Sequence, residues 1–432
     1  MAANDVPETQ RREGIDSWET MRGSAFCRDR NFMKRLGITR ANGPVVPSTV
    51  WVLGVVSLLM DASSELVHSL LPLFMASVLG ASTLTIGFVE GVAEATAAVV
   101  KIFSGTLSDW FGKRKLLLVL GYGLSAFTKP VFPLATSMAW VFGARFADRI
   151  GKGIRGAPRD AFVADITPPA VRGAAYGLRQ ALDSIGAFVG PLLAVLLMYW
   201  LMNDIRAVLW FAAVPAVCAV TLLLFAIREP EHHEVRSRDR ERLTLADLGQ
   251  FRRGYWVLTG LGLVLTLARF SEAFLVLRAQ DVGLAIGYVP AVMIVMNVIY
   301  ASSAYPAGWA ADRFSVRVLL LAGIVCLVLA ELTLAWARTS GLVFIGTGLW
   351  GLHMGLTQGL FSKLVAAESP PSLRGTAFGM FNLMTGVGLL LASVIAGFLW
   401  TVTGPSMTFL AGALFAGIAA LGIGWYHPSR ID

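Results

Sequence analysis

Charge is what this chain has least of. Asp, Glu, Lys and Arg make up 15% of its 432 residues, against about a quarter in an ordinary globular domain. With 56% of residues hydrophobic, that deficit excludes a water-soluble fold and leaves an integral membrane protein. Cysteine is scarce as well: Cys27, Cys218 and Cys326 stand far apart, two of them inside apolar runs. They make neither a disulfide framework nor a metal-ligand spacing, so no metal centre is expected. The motifs of soluble enzymes are missing too. There is no HExxH, and the run Gly151-Lys-Gly-Ile-Arg-Gly156 lacks the preceding strand and the terminal Lys-Ser/Thr of a nucleotide loop. No enzyme activity, no cofactor and no ATP-driven step are expected. The first forty-odd residues are polar and mixed in charge, unlike a cleavable signal peptide.

What the chain does have is apolar runs. Read between polar, glycine or proline breaks, they give twelve spans at about 50–79, 84–107, 116–135, 138–162, 174–201, 207–227, 254–279, 285–307, 317–337, 341–365, 376–401 and 406–426. An even number puts both termini on one side. Lys113, Arg114, Lys115, Arg172, Arg313, Arg317 and Arg374 fall on that side, and the stretch from Arg228 to Arg253 adds seven arginines and six acids. The opposite loops hold only Arg206, Arg278 and Arg338. The bias places both termini in the cytoplasm of a cell-membrane protein and accounts for the net charge of +8 without a nucleic-acid partner. The expected organisation is a tail at 1–47, a six-helix half at 48–227, a solvated linker at 228–253, a second half at 254–427 and a short tail at 428–432.

The densest polar punctuation between two runs is Gly105-Thr-Leu-Ser-Asp109-Trp-Phe-Gly112-Lys113-Arg114-Lys115. A positive-inside turn explains only its three cations. The stretch resembles the loop motif of the major facilitator superfamily, G-x-L-x-D-x-x-G-[RK]-[RK]-[RK]. Gly308-Trp309-Ala-Ala-Asp312-Arg313-Phe314 restates its first half about 200 residues on, with Ser315 where Gly112 would be. At nearly the same offset, Pro168-Pro-Ala-Val-Arg172-Gly173 is restated by Pro370-Pro-Ser-Leu-Arg374-Gly375. The chain therefore reads as two homologous halves. The resemblance implies an all-α membrane protein of twelve transmembrane helices in two pseudo-symmetric six-helix halves, with Gly105, Asp109, Gly112, Lys113, Arg114, Asp312 and Arg313 as its conformational hinge.

Ionisable residues at membrane depth cost about 2.5–3.5 kcal/mol each on insertion scales, so they mark pathways, proton relays or paired networks. Asp61, Glu65 and His68 share one face of the first span, and Glu90 and Glu94 share a face of the second with Lys101 beyond them. The fourth span crowds Arg145, Asp148, Arg149, Lys152, Arg155, Arg159 and Asp160 into sixteen residues. Its cations form a basic stripe, and pairing with Asp61, Glu65, Asp109 and Asp160 is the structural alternative to function. Arg145 and Arg149 are placed at the depth of Asp61 and Glu65. Arg149-Ile-Gly-Lys152-Gly153-Ile-Arg-Gly156 resembles the superfamily's R-x-x-x-G-x-x-G motif, whose arginine is implicated in proton transfer.

The fifth span holds Arg179, Asp183 and then Gly186-Ala-Phe-Val-Gly190-Pro191. That resembles the G-x-x-x-G-P core of the superfamily's proton-coupled antiporters, although Ala194-Val195 stands where a glycine pair usually follows. Gly186, Gly190 and Pro191 would let helices touch closely and bend. The second half is poorer in charge, with Arg269 and Glu272 on the seventh span and His353 on the tenth. The expected proton and substrate pathway is thus Asp61, Glu65, Glu90, Glu94, Arg145, Asp148, Arg149, Lys152, Arg179, Asp183 and Glu272. The expected function is proton-coupled efflux of a small molecule by a monomer in the lipid bilayer. Proton-coupled uptake of an anionic metabolite is the first alternative, and a non-transporting sensor on the same scaffold is the second.

Overall fold

The computed structural model describes residues 45–111, 114–227, 251–311, 313–370 and 373–426. Among them no strand occurs. Asp109 lies within a helix whose backbone alone is described there, and Gly112, Lys113 and Asp312 of the expected hinge, together with most of the 228–253 linker and both tails, lie outside the described residues.

Twelve spans cross the bundle. In the first half they are α1 (Ser48–Leu73), α2 (Thr83–Phe111), α3 with the short α4 (Arg114–Thr128, Val131–Leu134), α5 (Met138–Ile166), α6 (Arg172–Trp200), and α7 with α8 (Ile205–Phe211, Ala213–Ala226). In the second half they are α9 with α10 (Arg253–Ala268, Ala273–Asp281), α11 (Ala291–Ala310), α12 (Val316–Ala335), α13 (Ser340–Ala367), α14 (Arg374–Thr403) and α15 (Pro405–Trp425). Among the described residues, nine spans are long and apolar enough to cross a membrane by length and composition alone. The three that fail, α2, α5 and α13, all line the central cavity. On α2 and α5 the charges Glu94, Lys101, Arg149, Lys152, Arg155 and Arg159 are among that lining.

Three spans depart from the unbroken helices expected. The third stops at Thr128, because Pro130 has no N–H to continue the ladder. The sixth changes register at Ala212, one turn before Pro215, for the same reason. The seventh breaks between Ala268 and Ala273, with neither glycine nor proline in Arg269-Phe270-Ser271-Glu272. There a side chain substitutes for the helix: the backbone N–H of Ser271 donates to Ser393 Oγ of α14 at 3.1 Å. First and last, the spans otherwise follow the hydropathy runs to within a turn or so.

Pseudo-symmetry shows in the packing. In the first half α1 packs on α6 and α8, α5 on α2 and α3, and α3 on α8. Each pairing recurs six spans later: α9 on α14 and α15, α13 on α11 and α12, and α12 on α15. The halves meet through α2 with α14 and α6 with α11, two contacts that the same rotation exchanges. Below, the end of the bundle nearest Gly105–Arg114 is the hinge end, and the other is the far end.

Candidate functional site

A cavity of about 670 Å³ lies between the halves. It is walled by α1, α2, α5 and α6 on one side, and by the α9–α10 break, α11, α13 and α14 on the other. Of the expected pathway residues, Asp61, Glu65, Glu94, Arg149, Lys152, Asp183 and Glu272 line it, joined by His68, Lys101, Arg155, Arg159 and Arg269. Glu90, Arg145, Asp148 and Arg179 do not.

The local reason is helix packing. Gly153 and Gly156 of the R-x-x-x-G-x-x-G stretch face α2: a Cβ on Gly153 would sit 2.6 Å from Val100 Cβ, and one on Gly156 would meet the Lys101 stem at 3.5 Å. The near contact of α2 and α5 brings their charges into pairs. Arg145 donates to Glu90 Oε2 at 2.6 Å, and both side chains are almost wholly buried. Arg149 lies 3.1 Å from Glu94 Oε1, which Arg145 also approaches at 4.0 Å. His68 joins the set from α1, with Nδ1 3.4 Å from Glu65 and Nε2 3.9 Å from Glu90. From the cavity surface inward, Glu65, His68, Glu90, Arg145, Glu94 and Arg149 thus form one connected network. Glu272 completes it across the cavity, within electrostatic reach of His68, Glu65 and Glu94.

A second network lies nearer the hinge end. Arg155 approaches Asp61 at 3.9 Å, donates to Ser125 Oγ at 2.7 Å, and stacks over the Tyr122 ring at 4.7 Å. Arg159 reaches Asp183 at 3.3 Å and Ser57 Oγ at 2.9 Å, while Arg179 binds Asp160 at 2.7 Å. Arg149 lies within electrostatic reach of Glu65, but neither Arg145 nor Arg149 pairs with an α1 carboxylate among the described residues. Their carboxylate partners are on α2, and Asp61 faces Arg155, about two to three turns further along α5.

Asp148 has a different setting. It holds Lys129 at 3.0 Å, with Ser64 Oγ completing the ammonium's contacts at 3.1 Å, in a buried triad between α1, the α3–α4 break and α5. Among the hinge residues, Arg114 pairs with Asp165 at the end of α5, Lys115 donates to Leu224 O at 3.0 Å, and Arg313 stacks on Trp309 at 4.0 Å. Gly186 and Gly190 seat α6 on α1: a Cβ would lie 2.6 Å from Leu58 O and from Ala62 O, respectively. Residues that sequence reasoning missed include Asn297, which donates to Ala187 O across the halves at 3.0 Å, and the Ser271–Ser393 tie. The asparagine alone left a signal, as an amide inside an apolar run.

A twelve-span, two-half bundle enclosing a charged cavity between its halves is the architecture of a membrane transporter. The chain belongs to the Major Facilitator Superfamily, whose family model matches residues 53–299 and 273–431. It is 31% identical to an MFS-type transporter of Methanocaldococcus jannaschii over 88% of this chain and 95% of that one. It is 25% identical to the class C tetracycline resistance protein of Escherichia coli over 67% of this chain and 74% of that one. Among solved structures, a mutant of the nucleoside transporter NupG superposes with a TM-score of 0.75 at 15% identity, over 87% of this chain and 98% of that one. The protein is thus a multi-pass membrane transporter and not an enzyme.

Proposed function

We propose that this transporter exports a small molecule in exchange for protons, by alternating access, with its hinge end and both termini in the cytoplasm. The observation that carries the reading is the connected carboxylate–histidine–arginine network running from the cavity surface at Glu65 and His68 to the buried Glu90–Arg145 pair. Within it, a proton can pass between Glu65 and His68 at hydrogen-bond range, and the transfer changes the charge that faces the Glu90–Arg145 pair. Coupling follows when substrate and proton compete for that network, since a ligand shifts a conformational equilibrium only by binding its two states unequally. Export is supported by the Gly186–Gly190-Pro191 seat of α6 on α1, by its antiporter-like pattern, and by the likeness to a drug resistance protein. The excess of arginine and lysine in the hinge-end loops supports the orientation.

Uptake of an anion with protons is the second reading, favoured by Lys101 and Lys152, which are exposed in the cavity and make no close ion pair among the described residues. Direction separates the two. In inverted vesicles with an acid lumen, adding a substrate of an exporter to the bath releases lumenal protons, seen as dequenching of a pH dye. Substrate-driven acidification of the lumen instead would overturn export in favour of uptake.

A further inference from the structure

The cavity's charges are unevenly matched. Three of its arginines have carboxylate partners: Arg149 with Glu94, Arg155 with Asp61 and Arg159 with Asp183. Lys101 and Lys152 are both exposed into the cavity and neither makes an ion pair among the described residues. They are also neighbours. The stem of Lys101 lies against Gly156, one turn beyond Lys152 on the same face of α5. On the opposite wall Arg269 is followed three residues later by Glu272, so those two charges offset each other. Glu65, held by His68 and within electrostatic reach of Lys152, offsets one of the two lysines, and the remaining positive charge sits on the α2–α5 wall.

Two like charges about a helix turn apart repel each other, and a doubly charged anion between them relieves that repulsion more fully than a singly charged one. The facing wall is mixed: Asn297, Tyr300, Asn382 and Thr385 offer hydrogen bonds, and the buried rings of Phe270 and Trp350 pack obliquely at 5.6 Å beside the helix break. A volume of about 670 Å³ accommodates a charged head together with one or two rings. We infer that the substrate is an organic anion whose charged head, a phosphate monoester or a dicarboxylate, is held between Lys101 and Lys152, with its body toward the facing wall at Asn297, Tyr300 and Thr385.

The inference rests on the transporter reading above but takes no side on direction or on proton coupling, so binding without a gradient tests it separately. The probes share one ring system: 1-naphthyl phosphate, naphthalene-2,3-dicarboxylate, neutral 1-naphthol and cationic 1-naphthylmethylammonium. Each is titrated against the purified full chain in detergent by microscale thermophoresis. Both dianions should bind about tenfold or more tighter than the neutral and cationic probes, and the tighter of the two identifies the head group. The double variant Lys101→Gln, Lys152→Gln should lose about tenfold or more in dianion affinity while keeping that for 1-naphthol, and Lys101→Arg, Lys152→Arg should keep both. The inference is overturned if the cation or the neutral probe binds the parent as tightly as the dianions, or if the glutamine variant binds them at parental affinity. The parent series decides the matter even where a variant does not fold. Proton-coupled export of a cation would sink the substrate class and leave the coupling standing; dianion binding without proton movement would do the reverse.

Discussion

Lys129 and Asp148 are buried to within 2% exposure, and each is the other's only counter-charge within hydrogen-bond range among the described residues. Removing one partner strands the other, at a cost of about 3–5 kcal/mol, because the ion's desolvation is no longer offset. Asp148→Asn is therefore expected to lower the thermal midpoint in detergent sharply and to cut folded yield, and Lys129→Met with Asp148→Leu to restore much of both. Unchanged midpoints in the single variant would show that Ser64 and water suffice. Asp61 and Glu65 differ, since both line the cavity and each faces a partner, Arg155 or His68, at a looser 3.4–3.9 Å. Asp61→Asn with Glu65→Gln is expected to fold and bind substrate yet no longer accumulate it against a gradient, and parental accumulation would move the proton carrier to Glu94 or Glu272. The charges themselves were legible in the sequence, because any ionisable residue in an apolar run stands out. Their partners were not: which carboxylate meets which arginine depends on how two helices rotate against each other, as Arg145 and Arg149 turning to α2 instead of α1 illustrates.

At the scale of helices, the decisive contact is α6 on α1. Gly190 packs its Cα face on the α1 backbone, where any side chain would collide with Ala62 O, Glu65 Cβ and Leu66 N at 2.6–2.8 Å. Leucine there must push the helices apart, and with them Asp61 and Glu65 from Asp183. Gly190→Leu is expected to abolish transport while the protein still inserts. Ala194, one turn on and fully buried, already carries a methyl group, so Ala194→Gly is expected to keep turnover within about threefold, a loss of less than 1 kcal/mol. Rates of solute exchange in proteoliposomes at equal protein content check both, and normal exchange by the leucine variant would discard the close-contact account. That contact could be read from the G-x-x-x-G-P spacing. The break in the seventh span could not, because Arg269-Phe270-Ser271-Glu272 has no residue that forbids a helix. It is imposed from outside by Ser393, 122 residues away, whose hydroxyl takes the Ser271 N–H.

For the whole molecule, the hydrogen bonds that cross between the halves, among the described residues, run from mid-bundle to the far end. They join Thr83 to Thr401 at 2.9 Å, Ser77 to Gln280 at 2.8 Å, and Asn297 to Ala187 at 3.0 Å. The cavity, by contrast, extends toward the hinge end past Lys101, Gly156 and Arg159. The structure is therefore a state closed at the far end, and alternating access requires the α2–α14 seam at Thr83 and Thr401 to part. Holding it shut should stop the cycle without blocking the cavity. In a chain with its three native cysteines replaced by serine, Thr83→Cys and Thr401→Cys bring two thiols within disulfide reach, because the present hydroxyls already touch. Oxidation is expected to abolish transport and dithiothreitol to restore it. While oxidised, a third cysteine in the cavity wall, Thr385→Cys, should still react with a membrane-impermeant maleimide applied from the hinge end, and not from the far end. Transport that survives full crosslinking would mean that the halves do not separate along this seam. Labelling from the far end in the oxidised protein would mean that the cavity has its exit there, which reverses the assignment of the closed side.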